Sequence, residues 1–301
     1  MDCMHDAPLI SPENKDAASE IVANLPKVVL DLRFQPTGQP ESPAELSAEL
    51  GDYLHTLIDD NVVYAEIDFD PQDYSFGTDA ATEAAISTVA ESELNARLLL
   101  PGTFAMARQG DVVVGSYLQG EVEPQVAEQL RQNFVPFSVD VECAEFEDVV
   151  KAVQNGAIRL RQATQLIDDF SADLDGIHPG NASAWVRDRH IAVCFALTAD
   201  ENLPDHPLPL LQQLGFTCAV APAGKGASAS AVLRALTETF GYGLEEFFDL
   251  TVKAIENSFA SEEERQKLLE ETILPAYEEL SAEFDGGVDE NVDADENESD
   301  S

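Results

Sequence analysis

The strongest constraint on this chain is the order of its apolar segments. Between residues 28 and 221, short β-branched and aliphatic runs alternate with stretches whose apolar residues recur every three or four positions. The runs are 28–32, 61–69, 94–100, 112–118, 136–141, 157–160, 191–197 and 217–221. The helical stretches include 43–60, where Leu46, Leu50, Leu54 and Leu57 share one face, then 79–92, 123–133, 145–154, 183–188 and 208–214. Asp79 stands where a carboxylate favours the start of a helix. Strands that alternate with helices pair in parallel through helical crossovers. Eight such units predict an α/β fold, a (β/α)8 TIM-like barrel.

From residue 229 the pattern is helical only, over 229–240, 243–257 and 261–280, so the barrel carries additional C-terminal helices. Ser261 followed by Glu264 is a capping-box start. Residues 1–24 form an irregular lead with a short helix, 25–280 the barrel with its helical layer, and 281–301 an acidic tail. That tail holds nine acids and no base, and is expected to be disordered.

The formal net charge is -42, from 58 acidic and 16 basic side chains. Such a surface repels nucleic acid and anionic membranes, so neither is an expected partner. No apolar run approaches the ~18 residues of a membrane span. The acidic start lacks the basic opening of a secretory signal, and the expected location is cytoplasmic. Cys3, Cys143, Cys194 and Cys218 form no Cys-x-x-Cys pair; Cys194 and Cys218 lie in apolar runs and read as core residues.

Four stretches carry a family resemblance. Pro26-Lys27-Val28-Val29-Leu30-Asp31-Leu32-Arg33-Phe34 and Asn61–Pro71 are similar to the first two barrel strands of the adenosine deaminase family. His206-Pro207-Leu208-Pro209-Leu210-Leu211 with Leu214-Gly215-Phe216 resembles the approach to its last strand. The block from Glu238 to Leu280, with Thr239-Phe240-Gly241-Tyr242-Gly243 and Ile273-Leu274-Pro275-Ala276-Tyr277, is similar to the C-terminal helices of actinobacterial members. These motifs belong to the scaffold and cover roughly residues 25 to 280. The links 35–60 and 101–111 are shorter than in the family, and the second is too short for the usual crossover helix.

The resemblance implies zinc held by three histidines and an aspartate, where it would activate a water for attack on a purine. This chain departs at each position. Asp31 and Arg33 stand for the first His-x-His, and a guanidinium has no lone pair to offer a metal. Asp140 stands for the third histidine and Cys143 for the proton-transferring glutamate. Glu142 lies one residue off, and with Asp140 reads as a solvated acid at a strand end. Arg161-Gln162-Ala163 replaces Gly-His-Gly. Ala223 and Gly224 replace the final aspartates. Asp168 and Asp169 read as opening a helix or turn. His5, His55, His178, His190 and His206 lie away from the strand ends, and Gly224-Lys225-Gly226-Ala227-Ser228 lacks the full phosphate-loop pattern.

The expectation is therefore an adenosine deaminase-like pseudoenzyme with no catalytic residue, no metal and no cofactor. It would act as a binding or regulatory barrel for an active paralogue, another protein, or a small ligand in the residual pocket. The alternative is an enzyme, a hydrolase or deaminase of a purine nucleoside or related compound, with a hard cation on Asp31, Asp68 and Asp140.

Overall fold

The computed structural model describes residues 21–199 and 203–286. Eight strands form one parallel sheet: β1 (Lys27–Arg33), β2 (Val62–Asp68), β3 (Asn95–Pro101), β4 (Val113–Gln119), β5 (Phe137–Asp140), β6 (Arg159–Arg161), β9 (Ala192–Leu197) and β10 (Cys218–Pro222). Each pairs in parallel with the next in that order. Ladder bonds do not bridge β10 to β1, so the barrel is nearly closed.

The helices form because one face of each has apolar residues to bury. In α1 (Pro43–Asp59), Leu46, Leu50, Leu54 and Leu57 are all buried, each contributing about 1.5–3 kcal/mol. Ser42 opens it by accepting from the Glu45 N–H at 3.3 Å, a cap worth about 1 kcal/mol. The other crossover helices are α2 (Thr78–Glu91), α3 (Phe104–Arg108), α4 (Pro124–Gln132), α5 (Phe146–Gln154), α6 (Asn181–Asp188) and α7 (Leu208–Gln213). The short third link does contain a helix, α3, of five residues. Arg108 in its last turn pairs with Asp79 at 2.7 Å, joining α3 to the start of α2.

One element is absent from the sequence reading. An antiparallel hairpin, β7 (Phe170–Asp173) and β8 (Gly176–Pro179), lies between β6 and α6. Its side chains are mostly exposed, so it leaves no apolar alternation to detect. Asp169, expected to open a turn, accepts from the N–H groups of Ala182 and Ser183 at 3.0 Å and so caps α6.

The C-terminal layer is α8 (Ala229–Phe240), α9 (Leu244–Glu256), α10 (Glu262–Leu268), a π-helical turn (Leu269–Ile273) and α11 (Leu274–Gly286). Ser261 caps α10 through the Glu264 N–H at 3.2 Å. Glu264 does not close the box; its carboxylate pairs with Arg97 instead. The segment 257–260 that follows α9 reaches the barrel interior. The Phe259 ring fills the space where a Cβ on Gly115 would sit. α11 runs to Gly286, so its first residues beyond 280 are helical; residues 1–20 and 287–301 of the lead and tail lie outside the described residues. Among the described residues no helix is long and apolar enough to cross a membrane.

Candidate functional site

Alternation along a strand sends Tyr64, Glu66 and Asp68 of β2 to one face, and Arg159 and Arg161 of β6 likewise to one face. All five are buried, so the barrel interior is lined with charge. Asp31 joins them through an irregularity. The β1–β2 register shifts between Val29 and Leu32, and Asp31 adopts φ 53°. That left-handed backbone is unusual for a side-chain-bearing residue, and Asp is among those that tolerate it.

The charges fall into two layers. In the inner layer Arg159 donates to Asp31 at 2.9 Å and to Glu66 at 2.6 Å, with all three side chains at most 1% exposed. Arg159 also donates to the Asn257 carbonyl at 3.2 Å and lies 4.0 Å from the centre of the Phe259 ring. Glu66 accepts from Tyr64 at 2.9 Å and from the Phe259 N–H. This layer ties the barrel to the segment after α9.

The outer layer lies at the C-terminal strand ends. Arg33 and Arg161 both donate to Oδ2 of Asp140, Arg33 at 3.0 Å. Asp140 is therefore not a solvated acid, contrary to the sequence expectation: two guanidiniums cover it, and its side chain is 12% exposed. Its Oδ1 also accepts from the Glu142 N–H at 3.1 Å, which turns the chain away after β5. Asp68 is buried between the layers with Oδ1 unbonded. Burial and then the Asp31 carboxylate push its carboxyl up to about 8, against the pull of Arg161, Arg159 and Arg33.

The other positions singled out by the resemblance make backbone contacts or lie at the surface. Gln162 donates to the Ala196 carbonyl at 2.8 Å and accepts from the Ala196 N–H at 3.2 Å. Its amide thus stitches the end of β6 to β9 and is unavailable for proton transfer. The Ala223 N–H donates to the Leu197 carbonyl at 2.8 Å. Cys143 is exposed, while Cys194 and Cys218 are buried as expected. His178 pairs with Asp173 on the hairpin and His206 stacks edge-on with Phe195. The glycine-lysine loop is not a phosphate loop at a helix start: the α8 amides of Ser230 and Ala231 are taken by Asp60 and Ser228.

Zinc takes nitrogen, sulfur or carboxylate donors in a tetrahedral set. The residues present do not fit it. Arg33 is a cation already seated on Asp140, Asp31 is engaged by Arg159, and Ala223 has no donor atom. Among the described residues no three His, Cys, Asp or Glu side chains are grouped to hold a metal. Asp31 and Asp68 each keep one unbonded oxygen, but Asp140 is committed to arginine.

No protein-family model matches the chain. Adenosine deaminase from Mycolicibacterium gilvum is 27% identical over 268 residues, covering 74% of each chain. That of Mycolicibacterium vanbaalenii is 25% identical over 284 residues, covering 80% of this chain and 78% of its own. The chain is similar over most of its length to adenosine deaminases. Solved structures share the barrel fold. A zinc-bound amidohydrolase from Burkholderia ambifaria superposes with TM-score 0.67 at 14% identity, over 90% of this chain and 96% of its own. Arabidopsis ADAL complexed with GMP superposes with TM-score 0.64 at 16% identity, over 89% and 98%.

The Arg159 network was not anticipated from the sequence. Its signal was the Arg159-Leu160-Arg161 run in a short buried strand. A chain with 16 bases places two of them on one inward face, opposite inward acids on β1 and β2.

Proposed function

We propose that this chain is an adenosine deaminase-like barrel that does not deaminate, and that its mouth serves as a binding site for a small molecule. The observation that carries this reading is mutual: Arg33, Asp140 and Arg161 stand at three replaced positions and bond to one another. A site losing its chemistry at random would leave unpaired remnants. Here the substitutions complete a cluster, with a guanidinium where a metal would otherwise bring positive charge. Deamination needs an activated water and a proton-transfer group in the same step. Cys143 points to solvent exposure and Gln162 is spent on Ala196, so neither supplies the second.

The carboxylate-metal alternative has less support, since Asp31 and Asp140 are both engaged by arginine. An active paralogue or another protein remains the alternative occupant of the barrel. The test is inosine formation from adenosine by purified protein supplied with zinc. The reading expects none above the protein-free blank; turnover that scales with protein and is lost in an Asp140→Ala variant would overturn it.

A further inference from the structure

The cavity between the loop after β1 and the loop after β10, about 170 Å3, brings Arg33 and Lys225 together beside Glu49 and Asp52. Arg33 is 37% exposed in its side chain and bonds Asp140 through Nη2. Asp140 is shared with Arg161, so one carboxylate offsets two guanidiniums. Asp68 does not cancel the remainder at neutral pH, because its carboxyl holds its proton up to about 8. One layer deeper the sign reverses, with Asp31 and Glu66 sharing Arg159. The buried network thus passes from two carboxylates on one guanidinium at depth to two guanidiniums on one carboxylate at the strand ends.

The loop after β10 adds backbone donors. Gly224 and Gly226 have φ of 88° and 71°, while Lys225 between them does not share that region. Alternating φ turns successive N–H groups toward a common concave side, a geometry that favours anions. The N–H groups of 224, 225 and 226 make no hydrogen bond among the described residues. A Cβ on either glycine would meet nothing within 4 Å, so the loop is open. The Lys225 ammonium donates to the Thr37 carbonyl at 2.7 Å, which holds the loop against the cavity. Phe34 and Tyr53, with ring centres 5.4 Å apart, supply an apolar wall. Of the two lining carboxylates, Glu49 is engaged by the N–H groups of Thr37 and Gly38. Asp52 disfavours a multiply charged ligand.

We propose that this cavity binds an organic monoanion, with a carboxylate or phosphodiester group between Arg33, Lys225 and the amides of 224–226, and its apolar body against Phe34 and Tyr53. The proposal deepens the binding reading above and rests on it. The test is calorimetric titration of the full chain with methyl phenyl phosphate, benzoate and, as the cationic counterpart, benzylamine. Saturable binding of methyl phenyl phosphate or benzoate is expected, with the tighter of the two identifying the anionic group, and no binding of benzylamine. Lys225→Ala should weaken it about tenfold, the scale of one charge-assisted contact. Lys267→Ala, on the exposed side of α10, should leave it unchanged. Failure of both anions to bind, equal binding of benzylamine, or unchanged affinity in Lys225→Ala would overturn the proposal. Inosine formation by the same sample would overturn the non-deaminating reading alone, so the two failures are distinguishable.

Discussion

The two charged layers of the barrel differ in what surrounds them. The inner layer is sealed: Arg159, Asp31 and Glu66 have at most 1% exposure, and Phe259 and Asn257 close it from below. The outer layer is open on one side, where Arg33 keeps 37% of its side chain accessible and faces a cavity. A buried ion pair broken by removing one partner leaves a charge stranded in a poor solvent, whereas an exposed one relaxes into water. The inner layer should therefore behave as part of the fold, and the mouth as a site laid over it.

The largest effect expected from this contrast is Arg159→Met. It strands Asp31 and Glu66, and should cost about 3–5 kcal/mol of unfolding free energy, measured by urea denaturation. Adding Asp31→Asn and Glu66→Gln should restore part of that loss, since the stranded charges are gone; no recovery would mean that packing against Phe259 dominates. Asp140→Ala should cost about 2–3 kcal/mol, because Arg161, 9% exposed, loses its partner while Arg33 can turn to solvent.

Asp68→Asn tests the boundary between the layers and has the opposite sign. The native state holds a proton up to about pH 8 that the unfolded chain releases near 3.8. That contribution is fully present below pH 3.8 and is lost as pH rises toward 8. The variant should therefore gain stability relative to the parent as pH rises toward 8, with a flatter pH–stability curve between 4 and 8. A curve with the same slope as the parent would show that Asp68 does not carry the proton. The smallest effect is Arg33→Ala, about 1 kcal/mol or less, because Asp140 keeps Arg161 and the side chain is partly solvated.

The barrel was legible because periodicity reports burial. Leu46, Leu50, Leu54 and Leu57 mark α1 in sequence, and all four are buried in the structure. The hairpin at 170–179 was not legible, since Leu174 and Ile177 are exposed and no alternation distinguishes them from a loop. At the site, the sequence points to Asp31, Arg33, Asp140, Gln162 and Ala223 one position at a time, and it offers Arg33 as a neutralising partner for Asp31 or Asp140. It does not show that Arg161 shares Asp140. That Arg161 and Arg33 meet on Asp140 follows from closure, which brings β1, β5 and β6 to one mouth across more than a hundred residues of chain. Asp31 meets Arg159 only because a register shift and φ 53° interrupt β1, and no local motif announces that shift.

The most direct test of the central claim, that an arginine–aspartate cluster occupies the mouth in place of a metal, is metal analysis of protein purified with zinc present throughout. The account predicts zinc well below one ion per chain and a melting temperature unaffected by chelator. One zinc per chain, lost together with thermal stability on chelation, would contradict it.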